Sequence, residues 1–317
     1  MTNDLVRLRV VANELEAEMV RSLLSTAGIS RSSATRTSAQ VRTTACRRAA
    51  GRARFSCMRA ISKPPASSSA PSSLRHVTRG GYLMNLGLVP YGEALELQRS
   101  LAGAVSQGAI PETVIFLEHP PVVTIGRRTE TESELHIPEG AAVEIAETDR
   151  GGKSTFHGPG QLVCYPILDL HEHGKDVKRY VRDLEDALIH TLAAFGLEGV
   201  RYDGLTGVWM VPSSGQGPRK IASIGVHVSR WVTTHGYALN VDLDPAPFTE
   251  WITACGLEDA AFTTIARELG RRVTVDEVRP LAREALGDVF GLSFEELPAE
   301  DGHGLWGQPI HGQLATK

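Results

Sequence analysis

From Leu86 to Phe290 the sequence predicts one α/β domain, and three observations carry that prediction. Strand-like apolar runs and stretches of helical spacing alternate along the whole segment. Hydrophobic residues make up 42% of the 317-residue chain, enough for one large core with extra material at an end. No apolar run approaches the ~18–20 residues that a membrane-spanning helix needs, so no membrane association is expected.

Tyr91 to Ala104 reads as a helix with Ala94, Leu95, Leu97 and Leu101 as its apolar residues. Val114 to Leu117 is a short strand halted by His119-Pro120-Pro121, and Val122 to Ile125 is another. Leu162 to Leu168 is a strand that runs through Pro166. A proline has no N–H for a ladder, which predicts an edge or a bulge there. Val177 to Phe195 is a long helix in which Val181, Leu184, Leu188 and Leu192 recur at helical spacing. Gly207 to Val211 and Ile221 to Val228 read as strands joined by a Gly/Pro/Ser loop at 212–219, and Tyr237 to Val241 is a further strand. Phe248 to Trp251 and Asp259 to Leu269 read as helices. The last helix, Val275 to Phe290, opens on a capping box of Thr274 and Glu277, and Pro280 is a candidate kink. The domain is expected to span 84–300, followed by a Gly-rich flexible tail at 301–317. No internal repeat is visible.

Charge divides the chain near the same start. Residues 1–83 hold 14 Lys/Arg against 4 Asp/Glu (+10), and residues 84–317 hold 19 against 33 (-14). Leu5 to Val11 suits a strand and Glu14 to Leu24 an amphipathic helix ended by Gly28. That fragment, 1–29, resembles the opening of a small bacterial βα signal-transducing module. Residues 30–83 contain no acidic residue, eleven Lys/Arg and much Ser, Ala, Thr and Pro. An organellar transit peptide, a nucleic-acid-binding tail and a disordered or mistranslated leader compete for this stretch. The acid-containing segment ahead of it argues against the first. The scarcity of aromatics and the lack of a nucleic-acid motif argue against the second, so no nucleic-acid partner is expected. Met84 opens the folded pattern cleanly.

Four cysteines (Cys46, Cys57, Cys164 and Cys255) show neither paired nor metal-ligand spacing. A reduced, cytoplasmic protein without a structural metal is expected. Three clusters carry chemistry. The first runs from Arg150 to Gln161 (RGGKSTFHGPGQ), where glycines let backbone approach a ligand closely. Gly152-Lys153-Ser154 imitates the end of a phosphate loop, but that motif needs a glycine at the position of Glu147, so the reading fails. The second comprises Arg219 to Gly225 (RKIASIG) and His235 to Asn240 (HGYALN), with Lys220 at a loop-to-strand junction where a long amine can turn inward. The third is Cys255-Gly256 after a short helix. Only a thiolate attacks well, and a nearby ammonium favours it. A cysteine alone is more often a small buried hydrophobe, and Cys164, between Val163 and Tyr165, fits that reading. His157 and His235 sit in motif loops and fit a pocket-shaping role, whereas His227 alternates on a strand and fits a structural one.

Taken in this order, the clusters resemble the lipoyl(octanoyl) transferase family. Glu118-His-Pro-Pro121, Gly126-Arg-Arg128 and Gly207-Val208-Trp209 fit the same pattern, and the likeness runs from Met84 to Phe290. One departure is Ala254, where the family usually has proline before the reactive cysteine. The resemblance implies a mixed sheet flanked by helices, like the catalytic domain of biotin and lipoate protein ligases. It implies Cys255 as acyl-thioester nucleophile and Lys220 as the group that lowers the thiol pKa and moves protons. It implies a substrate pocket of Arg150, Gly151, Gly152, Lys153, Ser154, Thr155, Phe156 and His157, with Ser223, Ile224, Gly225, Gly236, Tyr237 and Ala238. The implied reaction moves an octanoyl or lipoyl group from octanoyl-acyl carrier protein to a lysine, the first step of endogenous protein lipoylation. The implied acceptors are lipoyl domains of 2-oxoacid dehydrogenase acyltransferase subunits and the glycine cleavage H protein, and no cofactor is expected. An ATP-dependent lipoate or biotin ligase and a non-catalytic fused binding module are the rivals. Cys255 argues against the first, and Lys220 together with Cys255 against the second.

Overall fold

The computed structural model describes residues 60–61, 78–129, 135–211, 217–252 and 261–298. The fragment at 1–29, most of the leader at 30–83, Cys255 with Gly256, and the tail at 301–317 lie outside the described residues. In chain order the first elements are β1 (Ala60–Ile61), β2 (Arg79–Leu88), α1 (Tyr91–Ser106), β3 (Thr113–Glu118), β4 (Val122–Ile125), β5 (Glu144–Glu147), β6 (Thr155–His157) and β7 (Gln161–Ile167). There follow α2 (Val177–Ala193), β8 (Gly199–Tyr202), β9 (Leu205–Met210), β10 (Arg219–Ser229) and β11 (Val232–Asn240). The chain closes with α3 (Pro247–Glu250), β12 (Ala261–Phe262), α4 (Ile265–Leu269), α5 (Val275–Phe290) and β13 (Leu292–Leu297).

All seven residues of β7 are buried, so both faces of its sheet must be covered. Successive side chains point to opposite faces. Leu162 and Cys164 therefore join the cluster formed with α2 and α5, while Val163, Tyr165 and Ile167 join the cluster formed with α1. Among the described residues ten strands make this mixed sheet, in the order β1-β8-β9-β10-β11-β7-β3-β2-β13, with β12 parallel to β10 off that path. A second sheet has the order β5-β4-β6. It packs through Val123 and Phe156 onto Phe248, Ile252 and Phe262, whose Phe248–Phe262 rings stack at 4.5 Å. No described helix is long and apolar enough to cross a membrane.

The helix starts follow their caps. Asp176 accepts the N–H groups of Lys178 (2.9 Å) and Arg179 (3.1 Å), and Thr274 with Glu277 forms the expected capping box. Helix α5 carries Pro280 within its span and ends at Gly291, whose φ of 64° is the left-handed stop that glycine tolerates.

Three expectations are corrected. Pro166 sits on a central strand between β11 and β3, not at an edge. The strand accepts it because pairing with β11 stops at Cys164↔Tyr237 and resumes only at Asp169↔Val232. In the gap the Thr233 hydroxyl bonds Pro166 O (2.7 Å) and accepts from Leu168 N (2.9 Å). The helix read over Asp259 to Leu269 is a strand pair at Ala261–Phe262 followed by a helix that starts only at Ile265, capped by Thr264. The first long strand begins at Arg79, ahead of Met84, because Arg79 to Leu83 pairs with Leu292 to Glu296 of β13. Strands β5, β6, β8 and β13 are short or exposed and show no clear period, so the sequence did not announce them. Ala60–Ile61, inside the leader, pairs antiparallel with Tyr202 and Arg201.

A chain shortened to begin at Met84 loses half of β2 and the Leu83 side chain, which is only 1% exposed. It should be destabilised by at least about 2 kcal/mol relative to one beginning at Thr78. Equal urea midpoints for the two chains would show that the first half of β2 contributes nothing.

Candidate active site

Arg150 organises the glycine-rich segment. It is 7% exposed, and its guanidinium reaches across to β4. Nη2 donates to Thr124 O (2.8 Å) and Thr124 Oγ1 (2.7 Å), and Nη1 donates to Lys153 O (2.7 Å) and Gly151 O (3.2 Å). Each bond carries charge on the donor, which makes it stronger than a neutral pair. Gly151 N–H donates to Val226 O on β10 at 3.1 Å, and Arg127 N–H to Arg150 O at 3.3 Å. The segment is thus bonded to both sheets. Glycine provides the clearance: a Cβ on Gly126 would collide with Gly152 O, and one on Gly225 would lie 3.0 Å from Arg150 Cδ and 3.2 Å from Gly151 O.

Lys220 turns inward as its junction position predicts. It is 4% exposed, and Nζ stands 5.3 Å from the centroid of the Trp209 ring. Its backbone pairs with Trp209 on one side and Phe262 on the other. Its side chain passes Gly207, where a Cβ would lie 2.9 Å from Lys220 Cε and 2.5 Å from Ala222 O. Gly207 has φ 116°, which a larger residue adopts only under strain.

Behind the loop lies a buried polar network. His119 Nδ1–H donates to Val89 O (2.6 Å), so Nε2 accepts from the Tyr165 hydroxyl (2.7 Å). Gln161 Nε2 donates to Asn240 Oδ1 (2.9 Å), which leaves Gln161 Oε1 to accept from His157 Nδ1 (2.7 Å). Burial pushes His119 down to about 4 and His157 down to about 3, the latter helped by the charges of His119 and Arg150. His235 has φ 57°, and its ring stands edge-on to Tyr165, with centroids 6.4 Å apart. Its Nε2–H donates to Asp149 Oδ1 at 2.8 Å, while His227 Nε2 lies 3.9 Å from Asp149 Oδ2. The His235 hydrogen bond holds the Asp149 carboxyl well below the usual range; burial outweighs the carboxylate at His235 and lowers its pKa.

The structure brings together most of the residues singled out in the sequence, but not all on one face. Thr155, Phe156 and His157 form β6, and the register Ser223↔Ala238, Ile224↔Tyr237, Gly225↔Gly236 aligns the two strand motifs. Gly225 faces Arg150, whereas Ile224 and Tyr237 turn into the cluster around α2 and α5. Phe156 packs edge-on against Phe248 and Trp251, each at 5.7 Å. Ser154 is 4% exposed, and its hydroxyl has no hydrogen-bond partner among the described residues. Arg219 forms a two-pronged pair with Glu268, at 2.9 Å for each bond. Cys164 is fully buried packing, as its position predicts. Cys255 lies outside the described residues; the chain re-enters them at Ala261–Phe262, beside Arg219 and Lys220. Asp149, Thr124 and Tyr165 were not foreseen as members of the site, although Asp149 immediately precedes the first motif.

Residues 90–287 match the family model of the lipoyl protein ligase A/B catalytic domain. The octanoyltransferase of Mycobacterium leprae (strain Br4923) is 47% identical over 231 residues, covering 72% of this chain and 97% of that protein. That of Mycobacterium tuberculosis (strain H37Rv) is 52% identical over 202 residues, covering 63% and 83%. Among solved structures, a lipoate-protein ligase A bound with ATP superposes with TM-score 0.57 at 17% identity, covering 72% of this chain and 94% of that one. A bipartite lipoate protein ligase from Thermoplasma acidophilum gives 0.56 at 16%, covering 75% and 98%. At those identities the likeness is one of fold.

The two neutral histidines make stability pH-dependent. His119 and His157 take up protons near 6.5 when unfolded but only near 4 and 3 when folded, so the unfolded chain binds more protons between those values. Their contribution is complete above about pH 6.5 and falls as pH drops. Between pH 6.5 and 5 the loss should be on the order of 1–2 kcal/mol for each histidine. Urea midpoints measured across that interval test this, and a flat profile would show that both rings are protonated in place without cost.

Proposed function

The chain belongs to the lipoyl protein ligase A/B catalytic family and, within it, to the lipoyl(octanoyl) transferases, and from that premise we propose that it is a thioester-forming octanoyltransferase acting through Cys255 and Lys220. The octanoyl donor is octanoyl-acyl carrier protein, and the acceptor is a lysine of a lipoyl domain, including those of 2-oxoacid dehydrogenase complexes and the glycine cleavage H protein. The reaction takes place in the cytoplasm. The observation that carries this reading is the burial of Lys220 beside the strand pair Lys220↔Phe262, seven residues along the chain from Cys255.

The Lys220 amine takes the Cys255 thiol proton, and the thiolate attacks the carrier thioester carbonyl. The tetrahedral adduct collapses to octanoyl-Cys255 and expels the carrier thiolate, which receives the proton from the Lys220 ammonium. The acceptor amine then attacks the new thioester and loses a proton to Lys220. An amide forms and Cys255 departs as thiolate, paired with the lysine. Backbone N–H groups near Cys255 and in the Gly152–Ser154 segment stabilise the oxyanion. The thioester is already activated, so no nucleotide enters the reaction. The Ser154 hydroxyl, buried without a hydrogen-bond partner among the described residues, is available to donate to the carbonyl of the bound acyl group.

Intact mass spectrometry with peptide mapping after incubation with octanoyl-carrier should find one octanoyl adduct, on Cys255. Cys255→Ala and Cys255→Ser should lose both the adduct and transfer while keeping the melting temperature. Turnover by either variant, or ATP-dependent pyrophosphate release with free octanoate, would overturn the proposal. Lys220→Ala should slow acylation roughly 10²–10⁴-fold, the range for loss of a general base. Its Cys255 alkylation should also shift to higher pH; an unshifted profile would remove Lys220 from the dyad.

A further inference from the structure

Gly207, which the Lys220 side chain crosses, is held by a group from the far side of the sheet. The ladder β8–β9 shifts register between Val200 and Tyr202, and the ladder β9–β10 shifts between Lys220 and Ala222. Gly207 lies in the gap of the first and one residue beyond the last pair of the second, Ala222↔Val208. The second shift places an extra residue, Ile221, on β10, so that Ile221 and Ala222 both enter the α2/α5 core while Lys220 sits beside Trp209. A backbone N–H released from its ladder and buried needs another acceptor. Glu185, on α2 and 6% exposed, supplies it: Oε1 accepts from Gly207 N–H at 3.0 Å. Its other oxygen accepts from Arg201 Nε at 2.8 Å, and Arg201 Nη2 reaches Asp186 Oδ1 at 2.6 Å.

We propose that Glu185 is a positioning residue for Lys220, fixing through Gly207 N–H the glycine floor on which the lysine side chain lies. The inference rests on the reading of Lys220 as the proton carrier for Cys255. A carboxylate is expensive to bury, and this one shares the buried face of α2 with Val181, Leu184 and Leu188. Leu184 and Leu188 need no acid beside them for packing. What the acid does is bond a backbone donor that the β8–β9 register shift leaves out of that ladder, at a glycine whose missing side chain makes room for Lys220 Cε and Nζ. With Gly207 released, β9 is free to relax towards an unshifted ladder. The space for the lysine then narrows, because any regular pairing there brings Gly207 towards Ala222 O, which a Cβ at Gly207 already approaches to 2.5 Å.

The test compares three variants of the full chain by the pH dependence of Cys255 alkylation, read on the Cys255 peptide by mass spectrometry, together with melting temperature. Glu185→Gln keeps an oxygen for Gly207 N–H and loses the ion pair with Arg201. It should melt lower yet keep the parent midpoint. Glu185→Ala loses the acceptor and should raise the midpoint by roughly half to one pH unit, as a displaced ammonium stabilises the thiolate less. Glu185→Asp keeps the charge but is too short for Gly207, and it should shift the midpoint in the same direction. It is the variant to read if Glu185→Ala yields no soluble protein. A midpoint unchanged in Glu185→Ala or Glu185→Asp, while Lys220→Ala shifts it, overturns this inference alone. A midpoint unchanged in Lys220→Ala as well overturns the dyad and this inference with it. Equal shifts in Glu185→Gln and Glu185→Ala would assign the effect to charge and not to the Gly207 bond, and would also overturn it.

Discussion

The buried guanidinium of Arg150 is the interaction on which the geometry of the site depends. A cation with 7% exposure is tolerable only when its donors are met. Here Thr124, Gly151 and Lys153 meet them with carbonyl oxygens, so the charge does its work on backbone. That choice has a geometric consequence. To bring those carbonyls and a neighbouring strand within reach of one guanidinium, the backbone comes closer than a Cβ permits at Gly126 and leaves little room for one at Gly225, while Gly152 supplies a φ of 96°. The small sheet, the glycine-rich segment and β10 are therefore positioned by one group, and displacing it would displace them together.

The same cation bears on the protonation of its surroundings. Arg150 adds to the burial that keeps His157 neutral. A neutral ring can donate through one nitrogen and accept through the other, and the chain Tyr165–His119–Val89 uses both. Protonating His119 would put a second donor where the Tyr165 hydroxyl now donates. The charges allowed to persist behind the site are those with partners, such as Asp149 held by His235. The result is a wall that is polar in composition, neutral in most of its titratable rings and fixed by hydrogen bonds. Such a wall is suited to stabilising charge that appears only during reaction.

Large parts of the fold were legible in the sequence. The helices α1, α2 and α5 could be read because each buries one stripe against a sheet face, and an apolar stripe repeats every three to four residues. Thr274 and Glu277 gave the start of α5 because a capping box is a local bond pair. Pro166 misled because an absent N–H is usually tolerated only at an edge. What admits it to the centre is a gap in pairing set by Thr233 and His235 from another strand. Ala261 and Phe262 misled because two residues beside a helix continue its composition, and only their partners Arg219 and Lys220 make them a strand. Arg150, Lys220 and His157 could be singled out in the sequence as members of glycine-bearing motifs, and the structure buries all three.

By itself, then, the sequence determined what depends on neighbours along the chain: the helical stripes, the caps, the glycines needed for close approach, and the motif chemistry that placed the chain among acyltransferases. The tertiary structure decided what depends on residues far apart. Asp149 meets His235 across 86 positions, Gln98 meets His235 across 137, and Gly207 leans on a carboxylate 22 residues back on a helix. It also decided which side of a strand each motif residue faces, turning Tyr237 into the core and Gly225 towards Arg150. The physical reason is that a hydrogen bond or a packed face has no signature until both partners are in place, whereas periodicity and backbone freedom are properties of one segment alone.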